Sequence, residues 1–431
     1  MRFCLINPPW SFYSSIYFGC REPHLPLEYG YSKLLLERAG HEVEIVDAQL
    51  DGFDMAELRA RVRAFRPDYS VVTTAPSYLF WRCAPPELRV PAETLDAIRD
   101  IGGMLVAVGP HASTTPRATL RKLKCDAVVL GECEEILPRL AGDWNAVDSI
   151  CYHRGGEIQV KGSPHAANMT MLPALHWPAD AIHRHAHHHH RFDAPPEGPG
   201  AEMETSRGCP YHCTFCAKDN FRNSFRRRPL ATIADELDGL VAQGVEYVYF
   251  IDEIFLPYTD VLVLIRARGI RFGIQTRIDL WNPKSIALLG SAGCVSIEAG
   301  VESITEAGRA RLDKKCKLST AQITQRLIQA RETEGIPFVQ ANLLNSSDDD
   351  PADVERWRAE LQRHGIWANK PVPLFPYPGS PDYTRRWGIP DDRAWERAHE
   401  FYLGQFDEFS DIQEQRPLPL VQLELSGGGR A

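Results

Sequence analysis

No stretch of this sequence is long and apolar enough to cross a membrane. The longest apolar run, Tyr247 to Ile265, is interrupted by Asp252, Glu253 and Asp260. Positive charge is in deficit, with 48 Lys and Arg against 57 Asp and Glu and a net charge of -9. A general nucleic-acid binder carries a basic footprint, so the balance argues against that class. A secretory leader is also missing, because Met1 to Pro8 reads as a buried strand. The 11 cysteines therefore point to a reducing, cytoplasmic compartment and to metal chemistry rather than disulfides. Eight of them (Cys4, Cys20, Cys83, Cys125, Cys133, Cys151, Cys294 and Cys316) form no second C-x2-C group, and none follows Cys316. At 431 residues the chain exceeds one compact core, so two domains and a tail are expected.

The other three cysteines lie together in Cys209-Pro210-Tyr211-His212-Cys213-Thr214-Phe215-Cys216. Three thiolates hold three corners of a cubane iron–sulfur cluster, whereas an inert electron carrier supplies four. The missing fourth ligand leaves one iron open to bind and reductively cleave a small molecule. Zinc prefers four ligands at paired spacings, and His212 lies awkwardly inside the triplet. The C-x3-C-x2-C spacing, with Phe215 before the last cysteine, resembles the cluster loop of the radical S-adenosylmethionine (SAM) enzymes. That resemblance implies a [4Fe-4S] cluster on Cys209, Cys213 and Cys216, with SAM at its open iron.

Residues 1–150 alternate strands and helices. Strands are expected at Arg2 to Asn7, Glu42 to Val46, Tyr69 to Thr74, Met104 to Val108 and Ala127 to Leu130. Helices are expected after Leu27 up to Gly40, then at Asp54 to Phe65, Glu93 to Asp100 and Ala118 to Leu123. Apolar strands alternating with helices imply a parallel sheet covered on both faces. Ligands on such sheets bind beyond the carboxyl ends of the strands. Those ends carry Asn7-Pro8-Pro9, Thr73 to Ser77, Gly109 to Ser113 and Gly131 to Glu134.

In order and extent these segments resemble the Rossmann-like cobalamin-binding domain that precedes the radical SAM domain in one large subclass. The resemblance implies cobalamin, with Pro8, Thr74, Ser77, Gly109, His111, Gly131 and Glu132 at its edge. No Asp-x-His-x-x-Gly motif occurs, so the resemblance implies no protein histidine below the cobalt. A missing lower ligand favours methyl transfer over homolysis. Ser77, Tyr78 and Trp81 are candidates for the place beneath the corrin, and each could equally be core or rim.

Residues 151–200 read as a connector. Ser149 to Lys161 is a hairpin turning at Gly155-Gly156, and a Pro- and His-rich segment follows. Its His187 to His190 run reads as a solvated linker or as a substrate-facing loop. Residues 201–390 alternate again, with strands at Met203 to Arg207, Tyr247 to Asp252, Arg271 to Arg277, Val295 to Ala299, Phe338 to Leu343 and Trp367 to Leu374. Helices are expected at Ala231 to Gln243, Asp260 to Arg268, Pro283 to Leu289, Thr320 to Glu334 and Pro351 to Arg363. Six strand–helix units describe a partial (β/α)6 barrel, whose active residues sit at the carboxyl ends of the strands.

Those ends are polar. Asp252 and Glu253 match the place where radical SAM proteins hold the SAM amino group, although the usual Gly-Gly-Glu is absent. Arg277 suits the SAM carboxylate, because Arg binds carboxylates bidentately. Gly300-Val301-Glu302-Ser303 resembles the family's Gly-x-Glu-Ser segment, with Glu302 accepting from SAM hydroxyls and Gly300 admitting the backbone. Phe375 to Ser380 is similar to its Pro-Gly-Thr-Pro segment. Asn342 to Asp348 departs from the subclass's Gly-x-Pro-Gly-Glu turn. Arg226-Arg227-Arg228 reads as a solvated or domain-facing patch, or as an anion contact. Residues 391–431 form a short tail.

The resemblance implies a cobalamin-dependent radical SAM enzyme, and within it a C-methyltransferase acting on an unactivated carbon of a small-molecule or oligomeric metabolite. An electron donor such as flavodoxin or ferredoxin is the implied partner. A methylthiotransferase would need a second three-cysteine cluster and a terminal RNA-binding barrel. The readings kept beside methylation are cobalamin-dependent radical cyclisation or rearrangement, and a non-catalytic cobalamin or iron–sulfur sensor.

Overall fold

The computed structural model describes residues 1–16, 22–76, 84–185, 198–218, 222–405 and 417–425. Ser77, Tyr78, Trp81, the His187 to His190 run, Cys20, Cys83 and parts of the tail lie outside the described residues. No helix among those described is long and apolar enough to cross a membrane.

The first sheet has seven strands. These are β1 (Arg2–Asn7), β2 (Glu42–Asp47), β3 (Tyr69–Thr73), β4 (Met104–Val108), β5 (Ala127–Val129), β6 (Ile150–Arg154) and β7 (Glu157–Lys161). Their order is β2-β1-β3-β4-β5-β6-β7, parallel through β5 and antiparallel beyond it. All five residues of β3 are buried, as two covered faces require. The expected hairpin is β6–β7. Gly155 and Gly156, at φ 58° and 85°, make its turn. It is not a free connector but the antiparallel edge of the first sheet, because β6 takes the open edge of β5.

Helices run as the periodicity predicts, with shifts at the ends. Met55–Phe65 opens with a capping box between Asp54 and Glu57. The next helix spans Arg89–Ile98 rather than starting at Glu93. Pro91 sits in its first turn, where a missing N–H is harmless.

The second sheet has six parallel strands in the order β15-β14-β13-β12-β11-β8 and does not close. Its members are β8 (Gly200–Met203), β11 (Tyr247–Phe250), β12 (Arg271–Thr276), β13 (Cys294–Glu302), β14 (Phe338–Leu343) and β15 (Trp367–Ala368). Two expectations are corrected here. The first strand leaves the ladder after Met203, because the Thr205 amide donates to Asp252 instead. Ser206–Arg207 (β9) then pairs antiparallel with Arg226–Arg227 (β10). The last strand stops at Ala368 rather than Leu374, since Pro371 and Pro373 have no N–H for the ladder.

One apolar cluster runs from Phe3 and Leu5 of β1 through Met203 and Tyr249 to Tyr402, so the two sheets share a core. The tail docks on the first domain. Trp395 stacks on His111 at 4.1 Å, and Lys122 pairs with Glu396 and Glu424 at 2.7 and 3.1 Å.

Candidate cluster and cofactor site

The cysteine loop leaves β9 through Gly208, whose φ of 77° suits glycine. A Cβ there would strike the backbone of Ser224 and Arg222. Cys213 is buried, and Cys209 and Cys216 are half-buried. The loop is held from several sides. The Gly208 amide donates to Glu253 at 2.7 Å, and the Thr214 amide donates to the Leu312 carbonyl at 3.0 Å. Thr214 in turn accepts from the Asp382 amide at 2.9 Å, and Lys218 donates to the Cys209 carbonyl at 2.6 Å. Among the described residues no three His, Cys, Asp or Glu side chains converge on one point as a mononuclear metal site requires. A cubane instead spreads its ligands over separate iron corners. Burial pushes the Cys213 thiol up, Lys314 and Arg277 pull it down, and Glu302 raises it.

Arg277 and Glu302 come from strand ends of the second sheet, and Lys314 from the loop after the helix Glu306–Arg311. Arg277 follows β12, with Nε and Nη2 held by Asp279 at 3.1 and 2.7 Å. Its guanidinium stands 4.1 Å over the Tyr211 ring of the cysteine loop. Its Nη1 is buried with no hydrogen-bond partner among the described residues. An unpaired guanidinium N–H is costly to bury, and an anionic ligand at this spot would satisfy it.

Glu302 ends β13 with φ 68°, where the register with β14 shifts. Its Oε1 pairs with Lys314 Nζ at 2.9 Å, and Lys314 also donates to the Gly300 carbonyl at 3.1 Å. A Cβ on Gly300 would run into Glu302. Asp349, just past the Asn342 to Asp348 segment that departs from the family pattern, accepts from Ser303 Oγ and Thr305 Oγ1 at 2.7 and 2.8 Å. That edge therefore fixes the backbone after Glu302.

Asp252 and Glu253 stand closer to the loop's stem than to an open surface. Asp252 is 1% exposed and accepts from the Thr205 amide, Thr205 Oγ1 and Ser206 Oγ at 2.7, 2.6 and 2.5 Å. Burial pushes it up to about 7, against these donors. Glu253 accepts from Gly208 and pairs with Arg222 at 2.5 Å. Both carboxylates brace the entrance to the cysteine loop.

At the first sheet, Pro8, Thr74 and Gly109 follow the adjacent strands β1, β3 and β4. Gly109 has φ 122°, and a Cβ there would lie 2.5 Å from Thr74 Oγ1. Thr74 Oγ1 is itself buried without a partner among the described residues. A close backbone approach beside an orphan hydroxyl fits an edge meant for a polar ligand. His111 is buried and pushed down to about 3 by burial, so it is neutral, with Nε2 3.3 Å from the Pro86 carbonyl.

Gly131 and Glu132 turn elsewhere. Gly131 faces the backbone of His165, and the Glu132 amide donates to the His165 carbonyl at 2.9 Å. Glu132, expected at the cobalamin edge, has its carboxylate taken up by arginines of the second unit. Its carboxylate is fully buried and meets Arg207 at 2.8 Å and Arg226. The segment after the hairpin closes this edge, which a reading of strand ends alone does not reveal. Arg226-Arg227-Arg228 is likewise no free patch: the three pair with Glu132, Asp260 and Glu236.

Sequence reasoning missed Lys314, Asp279, Tyr211, Arg222 and Asp349. Lys314 sits in a charged loop that reads as solvated, yet it is 2% exposed. Its neighbours Asp313 and Lys315 have φ 52° and 53°, a left-handed pair that no sequence signal marks.

Residues 203–357 match the radical SAM superfamily, and residues 23–141 match the B12 binding domain. The chain is a radical SAM enzyme. More narrowly, it belongs with the radical SAM enzymes that carry a B12-binding domain ahead of the radical SAM domain. It is 24% identical over 403 residues to an uncharacterized methyltransferase of Pyrococcus horikoshii, covering 90% of this chain and 82% of the relative. It is 24% identical over 336 residues to an anaerobic magnesium-protoporphyrin IX monomethyl ester cyclase of Rubrivivax gelatinosus, covering 72% of this chain and 57% of the cyclase. The radical SAM methyltransferase TsrM of Kitasatospora setae, solved with its tryptophan substrate and a SAM analogue, superposes with a TM-score of 0.68 at 18% identity. That match covers 89% of this chain and 76% of TsrM and is a likeness of fold.

Proposed function

We propose that this enzyme is a cobalamin- and SAM-dependent C-methyltransferase acting on a small-molecule or oligomeric metabolite. The single observation that carries the cofactor reading is the unpaired buried Nη1 of Arg277 beside the cysteine loop. Residues 1–150 would form the cobalamin unit and 201–390 the radical SAM unit, with 391–431 as a tail that joins them. When bound, the [4Fe-4S] cluster supplies the electron that cleaves SAM, and cobalamin supplies the methyl group.

The chain's own residues position these groups and keep out water. Cys209, Cys213 and Cys216 would hold the cluster. Arg277, oriented by Asp279, would bind the SAM carboxylate. Glu302, oriented by Lys314, would accept from SAM hydroxyls over Gly300. Asp252 and Glu253 hold the loop's stem. Pro8, Thr74 and Gly109 would form the cobalamin edge. Methylation is favoured because a relative that matches 90% of this chain bears a methyltransferase name. The cyclase relative keeps radical cyclisation as the second reading. An electron donor such as a flavodoxin and a cytoplasmic setting would accompany either chemistry.

Anaerobic reconstitution with iron, sulfide and hydroxocobalamin tests the reading. About four irons and one cobalamin per chain are expected. Four irons with no cobalamin would remove the methyl-donor role. Label from SAM methyl appearing in product would separate methylation from cyclisation. Cys213→Ala is expected to abolish SAM cleavage and keep cobalamin.

A further inference from the structure

Two positions before Cys209, Arg207 is fully buried among carboxylates from both halves of the molecule. Its Nη1 meets Glu132 and Glu134, which follow β5 of the first sheet, at 2.8 and 2.7 Å. Its Nε and Nη2 fork onto Glu204 at 3.0 and 2.7 Å. All four side chains are 0% exposed. The other stem of the cysteine loop is tied to the same acids. Arg222 reaches Glu204 at 3.1 Å and Glu253 at 2.5 Å, and Arg226 reaches Glu132 and the Ala167 carbonyl.

A buried ion cluster is weak evidence for stability, because apolar side chains of similar volume often fold as well. What the guanidinium fork adds is direction: planar, two-point contacts fix orientation as well as distance. Burial opposes ionisation of Glu132, but Arg207 and Arg226 prevail and hold its carboxyl below the usual carboxylate range. Here both stems of the loop are oriented against one strand end of the other domain.

We infer that Arg207 and Glu132 are positioning residues whose buried pairing holds the cysteine loop at a fixed distance and angle from the cobalamin domain. This rests on the proposed function for its meaning, since the distance set would be the one between cluster and cobalamin. The pairing itself does not depend on that reading.

The test uses the full chain with Glu132→Gln, which keeps shape and removes charge. Reconstituted and reduced, the wild type is expected to show one resolved magnetic dipolar splitting between cob(II)alamin and the reduced cluster. In Glu132→Gln the splitting broadens or collapses, while iron content, cobalamin content and each centre's separate signal stay unchanged. An unchanged splitting in the fully loaded variant overturns the inference. A second readout needs no cofactor. Amide hydrogen exchange in residues 207–216 of the apo-protein is expected to quicken at least tenfold in the variant, with strands β12 and β13 unaffected. Unchanged exchange there overturns the inference even if the wild type takes up no cobalamin, which would instead sink the functional reading. Should Glu132→Gln fail to fold, Arg207→Lys keeps the charge, removes the fork, and is read in the same two ways.

Discussion

Arg277 lies 4.1 Å above the ring of Tyr211, joining the end of β12 to the middle of the cysteine loop. A cation over an aromatic face is held without using its N–H donors. Asp279 takes two of those donors, and Nη1 is left over. The arrangement leaves one guanidinium nitrogen beside the cysteine loop without a partner among the described residues, which is the donor the proposed SAM carboxylate would take.

Arg277→Gln is therefore expected to weaken SAM binding by about ten- to a hundredfold, the worth of a charged hydrogen bond of roughly 1.5–3 kcal/mol. Arg277→Lys should recover little, because an ammonium cannot be gripped by Asp279 and stack on Tyr211 together. Equilibrium binding of SAM to the reconstituted protein measures both. Iron content should not change.

Lys314 is the buried cation shared by Glu302 and the Gly300 carbonyl. Lys314→Met leaves Glu302 without its partner, and breaking a buried pair costs about 3–5 kcal/mol. Two outcomes are expected, a lower unfolding temperature and a more negative cluster potential, since a positive charge near Cys213 is gone. Spectroelectrochemical titration beside a melting curve checks them. An unchanged potential would show that Lys314 acts on Glu302 alone.

Gly109→Val places a branched Cβ at φ 122° against Thr74. Strain of about 1–3 kcal/mol is expected, together with loss of cobalamin uptake followed by visible absorbance. SAM cleavage should survive, because the residue is remote from the cysteine loop in sequence and belongs to the other sheet. Retention of stoichiometric cobalamin would argue against the edge formed by Thr74 and Gly109.

His399 gives the pH dependence. The side chain is fully buried, and neither ring nitrogen has a partner among the described residues. Burial pushes it down to about 4. Its folded-state value thus lies below the unfolded 6.5, so the neutral ring's contribution is intact above pH 6.5 and fades as pH falls toward 4. At pH 5.5 the wild type should have lost about 1 kcal/mol relative to pH 8 from this group alone. His399→Leu is expected to melt higher than wild type, and by a larger margin at pH 5.5. Equal margins at both pH values would mean that the imidazole does not titrate on unfolding.

Much of the fold was legible because it rests on local pattern. The runs at Arg2–Asn7, Tyr69–Thr73 and Phe338–Leu343 are apolar enough to need two covered faces. The box at Asp54 and Glu57 starts its helix wherever the chain goes. Pro371 and Pro373 are the sequence signal that ends the last strand short of Leu374, since neither has an N–H for the ladder.

The sequence alone determined the two alternating α/β units, the three-cysteine loop between the first strand and helix of the second unit, and the polar strand ends. These depend on periodicity, turn chemistry and spacing along the chain. Only the tertiary structure decided which polar ends keep a buried donor unpaired among the described residues and which pair with the other sheet's side. Arg277 and Glu132 look alike in sequence, each a charged residue just past an apolar strand. One keeps a buried N–H unpaired beside Tyr211, and the other is closed off by Arg207 and Arg226. The reason is physical: a buried charge takes its meaning from its partners, and those partners lie 75 and 94 positions away.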